Sequence, residues 1–227
     1  MLPRRPLSAV PAGLVALTVL LAACDESNPP TGLPATRDPG QVISLAPQVF
    51  LLRPDQLPAY QRTADDAVSA VTFAADEGDA SLQATLEGQG FTSGARATYQ
   101  RPGSDPTTAF RLVISEALVF RDSHGAANFF ADEAKRRDKP PDSGGTVTTL
   151  TGLPSTGTDQ MAAFSATGSP AIPGVASSAP QVYFVLLRRG RVVAEVVGGG
   201  DPGTATVAAF TDLVTTQQAL LSTNPTI

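Results

Sequence analysis

The sequence predicts an α+β domain in which an antiparallel sheet carries helices packed on one face. Strand-like patterns alternate apolar and polar residues, most clearly over residues 108–120. Helical patterns follow the two longest strand patterns. The turn at Arg189-Gly190 joins two of the strand patterns so closely that they form a hairpin. Together these observations favour antiparallel pairing, with the helices as a separate layer.

The first half of the domain begins near Val42 with an apolar run at residues 49–52. We expect a helix at residues 65–75, and Asp79 is placed to cap a second helix at residues 80–87. The remaining predicted elements of this half are a strand at 95–100, a turn at 102–106, a long strand at 108–120 and a helix at 126–135 capped by Asp122 or Ser123.

The second half repeats this outline loosely. Its predicted elements are strands at 146–150 and 160–166, a loop at 168–180, a hairpin of 182–187 with 191–197, and a helix at 205–221. Residues 95–99 align in outline with 160–164, and residues 109–120 with 182–193. We therefore expect a β-β-α pseudo-repeat, although such units are also common by chance.

The composition indicates a folded acidic domain. The 227 residues are 42% hydrophobic and 16% charged, which is enough apolar material for a core. The formal net charge is −5, and loss of a segment that holds Arg4 and Arg5 would make it −7. A chain of this charge without a basic face is a poor nucleic-acid binder. Anionic headgroups would also repel it, so any membrane attachment must be covalent.

The first 24 residues have the three parts of an export signal. Arg4 and Arg5 are followed by an apolar run at residues 12–21, which is too short to span a membrane comfortably, and by two alanines. Leu21-Ala22-Ala23-Cys24 resembles the lipobox of bacterial lipoproteins. The resemblance implies a diacylglyceryl group on Cys24, cleavage between Ala23 and Cys24, and acylation, for example by palmitate, of the new amino terminus. An ordinary secretory signal with a chance cysteine is the alternative.

The lipobox divides the chain into four parts. These are a signal peptide at 1–23, lipidated Cys24 with a Pro/Gly-rich linker at 24–41, one extracytoplasmic domain at 42–223 and a tail at 224–227. The anchored chain would lie on the outer face of the cytoplasmic membrane. Asp25 resembles the inner-membrane retention signal of diderm bacteria. In element order the domain resembles small α+β ectodomains of actinobacterial-type lipoproteins, including those with a PsbP-like fold, but no diagnostic motif accompanies that resemblance.

No pattern predicts a catalytic centre, a metal site or a cofactor. Asp122-Ser123-His124 contains the residue types of a catalytic triad, but successive residues point apart and helix capping explains the first two. The acidic residues at 76–79 lack the spacing of a calcium loop and suggest a solvated turn. The glycines at 198–200 lack the lysine of a phosphate loop and suggest a flexible turn.

Glu116 is the residue that conflicts with its surroundings. It shares the parity of Phe110, Leu118 and other apolar residues of one strand, so a straight strand would turn its carboxylate into the core. A bulge near Ser115-Glu116 would turn it outward instead. The other explanation is that Glu116 binds a ligand in a pocket between sheet and helices. The same two explanations apply, less strongly, to Glu195, which lies between Val193 and Val197 in the predicted hairpin.

These observations favour a tethered, non-enzymatic binding or accessory domain. Its expected partners are the membrane, through the lipid on Cys24, and a ligand that could be a lipid, an envelope glycan or an envelope protein. A structural envelope protein or protein-partner adaptor is the alternative. A carboxylate-based envelope hydrolase comes third, because it needs two carboxylates across a cleft and no such pair stands out.

Overall fold

Four stretches of the chain are described by the computed structural model: residues 45–102, 109–140, 145–168 and 180–224. They belong to one compact unit, Val42–Ile227. The predicted signal peptide, Cys24 and the linker lie outside the described residues, as do most of the predicted turn at 102–106 and loop at 168–180.

The described strands form one antiparallel sheet of seven strands. In sequence they are β1 (Gln61–Val68), β2 (Phe91–Gln100), β3 (Leu112–Phe120), β4 (Thr146–Thr149), β5 (Gln160–Thr167), β6 (Gln181–Arg189) and β7 (Val192–Gly200). Their order across the sheet is β1-β2-β3-β7-β6-β5-β4. The helices are α1 (Ala70–Asp76), α2 (Ser81–Gly88), α3 (Ser123–Arg137) and α4 (Val207–Ser222), with 3-10 helices at Pro47–Phe50 and Pro54–Gln56. The predicted α+β class is confirmed.

Helices cover both faces of the sheet, so the expectation of a single covered face is wrong. Val113 and Ala117 of β3 belong to a core cluster shared with α4 and the N-terminal segment. Leu118 and Phe120 of the same strand belong to a second cluster, shared with α1, α2 and α3. The central strands β3, β6 and β7 are buried on both sides along most of their length. Such strands must be covered on both sides to leave water.

The predicted helix at residues 65–75 is wrong in its first half. Residues 65–68 are the end of edge strand β1 and pair with residues 94–97 of β2. Helix α1 begins only after Ser69, whose hydroxyl oxygen accepts a hydrogen bond from the Thr72 backbone N–H at 3.1 Å. Because β1 is an edge strand with mostly exposed residues, it lacks the apolar alternation that marks the central strands.

The pseudo-repeat is not present in the fold. The predicted match of residues 109–120 with 182–193 aligns the single strand β3 with the hairpin of β6 and β7. In addition, α3 and α4 pack on opposite faces of the sheet, as their core clusters show. The similar element order of the two halves therefore does not reflect a repeated unit.

Most other predicted elements are confirmed within a few residues. Asp122 caps α3 by accepting a hydrogen bond from the Gly125 N–H at 2.8 Å, and the β6–β7 hairpin turns at Gly190 with φ +53°. The predicted turn at residues 198–200 is wrong, because these glycines complete β7. A Cβ at Gly200 would lie 2.6 Å from the carbonyl oxygen of Ala109.

In the described part of the chain, no helix combines the length and the apolar character needed to cross a bilayer.

Candidate functional site

Glu116 faces the protein interior from a straight strand. β3 pairs without interruption around it, opposite Arg96 of β2 on one side and Glu195 of β7 on the other. Its side chain is only 5% exposed. The predicted bulge near Ser115-Glu116 is therefore wrong, and the parity argument holds. The carboxylate lies under α1 and α3, among the residues of the second core cluster.

Arg96 neutralises Glu116. Its Nε donates a hydrogen bond to Glu116 Oε2 at 2.6 Å, and its Nη2 lies 2.5 Å from the same oxygen. Arg96 Nη1 donates to Asp76 Oδ2, at the end of α1. Burial raises the pKa of Glu116, and the charge and hydrogen bonds of Arg96 oppose that rise. Burial disfavours the Arg96 cation, but Glu116 and Asp76 outweigh burial and raise its pKa. The ion pair also joins α1 to β2 and β3.

Glu195 has a weaker partner than Glu116. Its Oε2 accepts one hydrogen bond from Arg137 Nη2 at 3.1 Å. Its Oε1 is buried and has no hydrogen-bond partner among the described residues. Burial raises the pKa of Glu195 to about 8, because the Arg137 charge offsets only part of the cost of removing the carboxylate from water.

Helix α3 supplies the remaining charges from one side of its last turns. Glu133 accepts hydrogen bonds from Arg136 and Arg137, at i+3 and i+4. Both arginines also donate to Glu77, which caps the end of α1. Burial alone would raise the pKa of Glu77, but the two guanidinium charges outweigh it and hold that pKa below its usual value. This network ties α1 to α3 above the sheet.

The space between the two sheet carboxylates is closed. It is lined by Glu116 and Glu195 together with five apolar residues, Phe73, Leu118, Phe129, Leu186 and Val193. A water-sized sphere does not fit within it. Whether Glu116 binds a ligand stays a prediction, but its carboxylate is occupied by Arg96 and the adjoining space holds no molecule of water's size.

The other sequence candidates do not converge on this cluster. Asp122 is a helix cap, and His124 Nε2 lies 3.2 Å from Asn128 Nδ2 on the exposed side of α3. The expectation of a solvated turn at residues 76–79 is wrong for Glu77, whose ion-paired side chain is 16% exposed, whereas Asp76 is ion-paired but 50% exposed. Among the described residues, no group of three or more His, Cys, Asp or Glu side chains is arranged to hold a metal ion.

Most members of the cluster were missed from the sequence, although one signal was available. Glu133 lies four residues after Phe129 and three after Phe130, so it falls on the apolar side of α3. The sequence pattern indicated an apolar stripe of Ala127, Phe130, Ala131 and Ala134, which includes buried Phe130 but omits buried Phe129 and Glu133. The pairing of Arg96 with Glu116 depends on strand register, which the sequence pattern did not provide.

A second group of buried polar side chains lies on the opposite face and holds the segment at residues 50–52. The Leu52 N–H donates to Ser115 Oγ at 3.0 Å, and Tyr99 donates to the Leu52 carbonyl. Gln217 of α4 donates to the Phe50 carbonyl at 2.6 Å. These side chains satisfy the backbone of an irregular segment that is buried against the sheet.

No protein-family model matches the chain, and no curated protein matches it. Among solved structures, it is similar to the extracellular domain of PknH from Mycobacterium tuberculosis, with 13% sequence identity and a TM-score of 0.46. The similarity covers 78% of this chain and 100% of that one. At this identity, no residue role transfers from that domain to this chain.

Proposed function

We propose that this protein is a lipid-anchored extracytoplasmic lipoprotein whose domain is a non-enzymatic accessory module that binds an envelope partner through its surface. The anchor is supported by the lipobox Leu21-Ala22-Ala23-Cys24, and the reach of the domain by the Pro/Gly-rich linker. Two or three acyl chains on Cys24 would hold the chain at the membrane despite its net negative charge.

The narrowness of the space beside Glu116 is the observation that favours surface binding over pocket binding. A carrier of small molecules needs a concave site of several hundred cubic ångströms. The space beside Glu116 does not admit even water, and both faces of the sheet are filled by helices and core side chains. Recognition through the outer surface is therefore better supported than capture of a lipid or another small ligand beside Glu116.

The same observation weighs against a hydrolase at the carboxylate pair. Glu116 and Glu195 lie directly opposite each other on β3 and β7. Carboxylate catalysis of glycoside hydrolysis needs the scissile bond to lie between the two groups. In this structure the space between them does not admit water and leaves no room for a scissile bond.

Crosslinking in whole cells tests the surface-binding proposal. The full-length protein would be expressed in its native bacterium and crosslinked before membranes are solubilised, with Cys24→Ala as the matched control. We expect one envelope component to crosslink to the wild-type protein and to be lost or reduced with the variant, because anchoring concentrates the domain near its partner.

Native mass spectrometry of the full-length protein can contradict the surface-binding proposal. The protein would be released gently from detergent micelles and compared before and after denaturation. A small molecule that copurifies in stoichiometric amount and leaves on denaturation would overturn the surface-binding proposal in favour of a carrier.

A further inference from the structure

Two buried carboxylates share one closed space in this fold. Glu116 and Glu195 occupy directly opposed positions on β3 and β7 and line the same space. Directly opposed residues of antiparallel strands have Cβ atoms about 5 Å apart. Two ionised carboxylates in such positions, away from water, repel each other strongly.

The surrounding ion pairs do not supply enough positive charge. The ion pairs fall into two groups, one around Arg96 and one around Arg136 and Arg137, which together contain five carboxylates but only three guanidinium groups. The carboxylates belong to Asp76, Glu77, Glu116, Glu133 and Glu195, and the guanidinium groups to Arg96, Arg136 and Arg137. With every carboxylate ionised, the group around Arg136 and Arg137 would hold three negative charges against two positive ones, and the uncompensated charge would be buried. In the other group, Asp76 is 50% exposed, so water screens its charge. A buried uncompensated charge is removed most easily by protonation.

The hydrogen bonds show which of the two carboxylates is less completely paired with an arginine. Glu116 receives two nitrogen atoms of Arg96 within 2.6 Å. Glu195 receives a single, longer hydrogen bond from Arg137, a guanidinium that also serves Glu133 and Glu77. Oxygen Oε1 of Glu195 has no partner among the described residues. Glu195 is therefore the member of the pair that gains most from being neutral.

Size and ligand chemistry limit what can occupy the space beside Glu195. Water does not fit. A metal ion would need at least three suitable donors, and no such group exists in the described part of the chain. A proton needs no volume and removes the uncompensated charge. We propose that the folded protein holds a proton on Glu195 at neutral pH, and that this proton keeps α1 and α3 closed over the sheet.

The charged groups around Glu195 come from the neighbouring strands and from helices α1 and α3. Sheet strands β2 and β3 contribute Arg96 and Glu116, and β6 places apolar Leu186 opposite Glu195. Helix α1 contributes Asp76 and Glu77, and α3 contributes Glu133, Arg136 and Arg137. Burial raises the pKa of Glu195 to about 8, the Arg137 charge opposes the rise, and Glu133, Glu77 and Glu116 add to it.

Loss of the proton has a defined structural consequence. Above the pKa of Glu195, the second sheet carboxylate becomes charged next to Glu116 in a space without water. Moving α3 outward admits water and relieves that repulsion. The domain therefore loosens its α1–α3 layer as the surrounding solution becomes alkaline. On the opposite face, which α4 covers, the described residues include no such pair of buried carboxylates.

Carbon-13 NMR of the full-length protein in detergent tests the proton directly. The side-chain carboxyl carbon of Glu195 should titrate with a midpoint near 8. A Glu195 midpoint below about 6 would mean an ionised side chain at neutral pH and would overturn the proposal. Titration of Glu116 in place of Glu195 would overturn the assignment equally.

Hydrogen exchange tests the consequence for α3. Between about pH 6 and about pH 9, after correction for intrinsic exchange, we expect the protection of α3 amides to fall by about tenfold or more in the wild type. Glu195→Gln, which mimics the protonated acid, should lose most of this pH dependence, and the exposed Glu87→Gln should keep it. Equal pH dependence in wild type and Glu195→Gln would contradict the proposal. If Glu195→Gln does not fold, the wild-type NMR titration decides.

Discussion

At the residue scale, the decisive feature is how each buried carboxylate is neutralised. Glu116 is paired with an arginine on the neighbouring strand, and Glu195 shares an arginine with two other acids. Removing one partner of a buried pair is costly because the remaining charge stays buried. Exposed pairs contribute little by comparison.

This contrast predicts the effects of two arginine substitutions on adjacent strands. Arg96→Met should lower the free energy of unfolding by about 3 kcal/mol, because Glu116 stays buried without its cation. Arg62→Met breaks an ion pair with Asp65, whose side chain is 58% exposed, and should cost about 1 kcal/mol or less. Equilibrium urea unfolding of both variants measures the difference. Equal losses would show that Arg96 does not neutralise a buried charge.

A double substitution separates the charge from the packing. In Arg96→Met with Glu116→Leu, the buried ion pair is replaced by apolar side chains of similar size. Such replacements are often neutral or stabilising, so we expect the double variant to be more stable than Arg96→Met alone. A double variant that is less stable than Arg96→Met would contradict the charge explanation.

A second residue-scale prediction concerns the glycines that end β7. A Cβ at Gly200 would meet the Ala109 carbonyl oxygen at 2.6 Å, whereas a Cβ at Gly88 would meet nothing within 4 Å. Gly200→Ala should therefore destabilise the protein by about 1–3 kcal/mol. Gly88→Ala should be neutral or slightly stabilising. Thermal unfolding compares the two, and a harmless Gly200→Ala would mean that β7 does not pass so close to Ala109.

At the element scale, the sequence predicted those elements whose local signals agree with their packing. The Asp122 cap marks the start of α3, and the Arg189-Gly190 turn marks the β6–β7 hairpin, because capping and turn chemistry depend on nearby residues alone. Edge strand β1 was not predicted, because its mostly exposed residues 61–67 do not alternate in polarity. The packing of helices on both faces of the sheet was not predicted either, because a local sequence pattern does not say on which face a helix packs.

The candidate site was predictable only in part for a related reason. Strand parity indicated the interior position of Glu116, but a bulge was expected to turn the side chain outward; the bulge is absent and Glu116 is buried. Its partner Arg96 is 20 residues away in sequence and is brought opposite by the β2–β3 register. The contacts of α3 with Glu195 span 58 residues. Such contacts depend on tertiary packing and cannot be derived from spacing.

The cap of α3 provides the prediction at this scale. Asp122→Ala removes the acceptor for the Gly125 N–H and should destabilise the protein by about 1 kcal/mol. Ser123→Ala changes an exposed neighbour that is not the cap and should have little effect. Urea unfolding of both variants tests the assignment. A larger loss for Ser123→Ala would mean that the serine provides the cap.

At the scale of the whole molecule, the buried acids predict an unusual dependence of stability on pH. The pKa of Glu195 in the folded protein is raised from 4.5 to about 8. Its stabilising contribution is therefore complete below about 4.5 and is lost as pH rises through about 8. The pKa of Glu77 is lowered, so its contribution is present above the usual carboxylate value and is lost as pH falls below it.

Because the pKa of Glu195 is raised and that of Glu77 is lowered, we expect maximal stability in mildly acidic solution. The free energy of unfolding should be highest near pH 5 and should decline steadily toward pH 8, by roughly 2 kcal/mol or more. Urea unfolding across this range measures the curve. In Glu195→Gln the decline should become shallow, and a wild-type maximum above about pH 8 would contradict the account.

Attachment to the membrane is also a property of the whole molecule, and the proposed function depends on it. Cys24 is the only cysteine, and it lies directly after the small residues of the predicted cleavage site. Acylation there would use the single thiol and leave the fold to be stabilised by its two core clusters and its buried ion pairs. A domain held in this way meets partners in the plane of the membrane, at a distance set by the linker.

Intact mass spectrometry of the protein extracted from membranes of an expressing bacterium tests this central claim most directly. We expect a mass that corresponds to a chain beginning at Cys24 with a diacylglyceryl group and, in many hosts, a further acyl chain. The Cys24→Ala protein should lack these additions and remain uncleaved at this site. A wild-type mass that retains residues 1–23, or one that begins after Ala23 without acyl chains, would contradict the account.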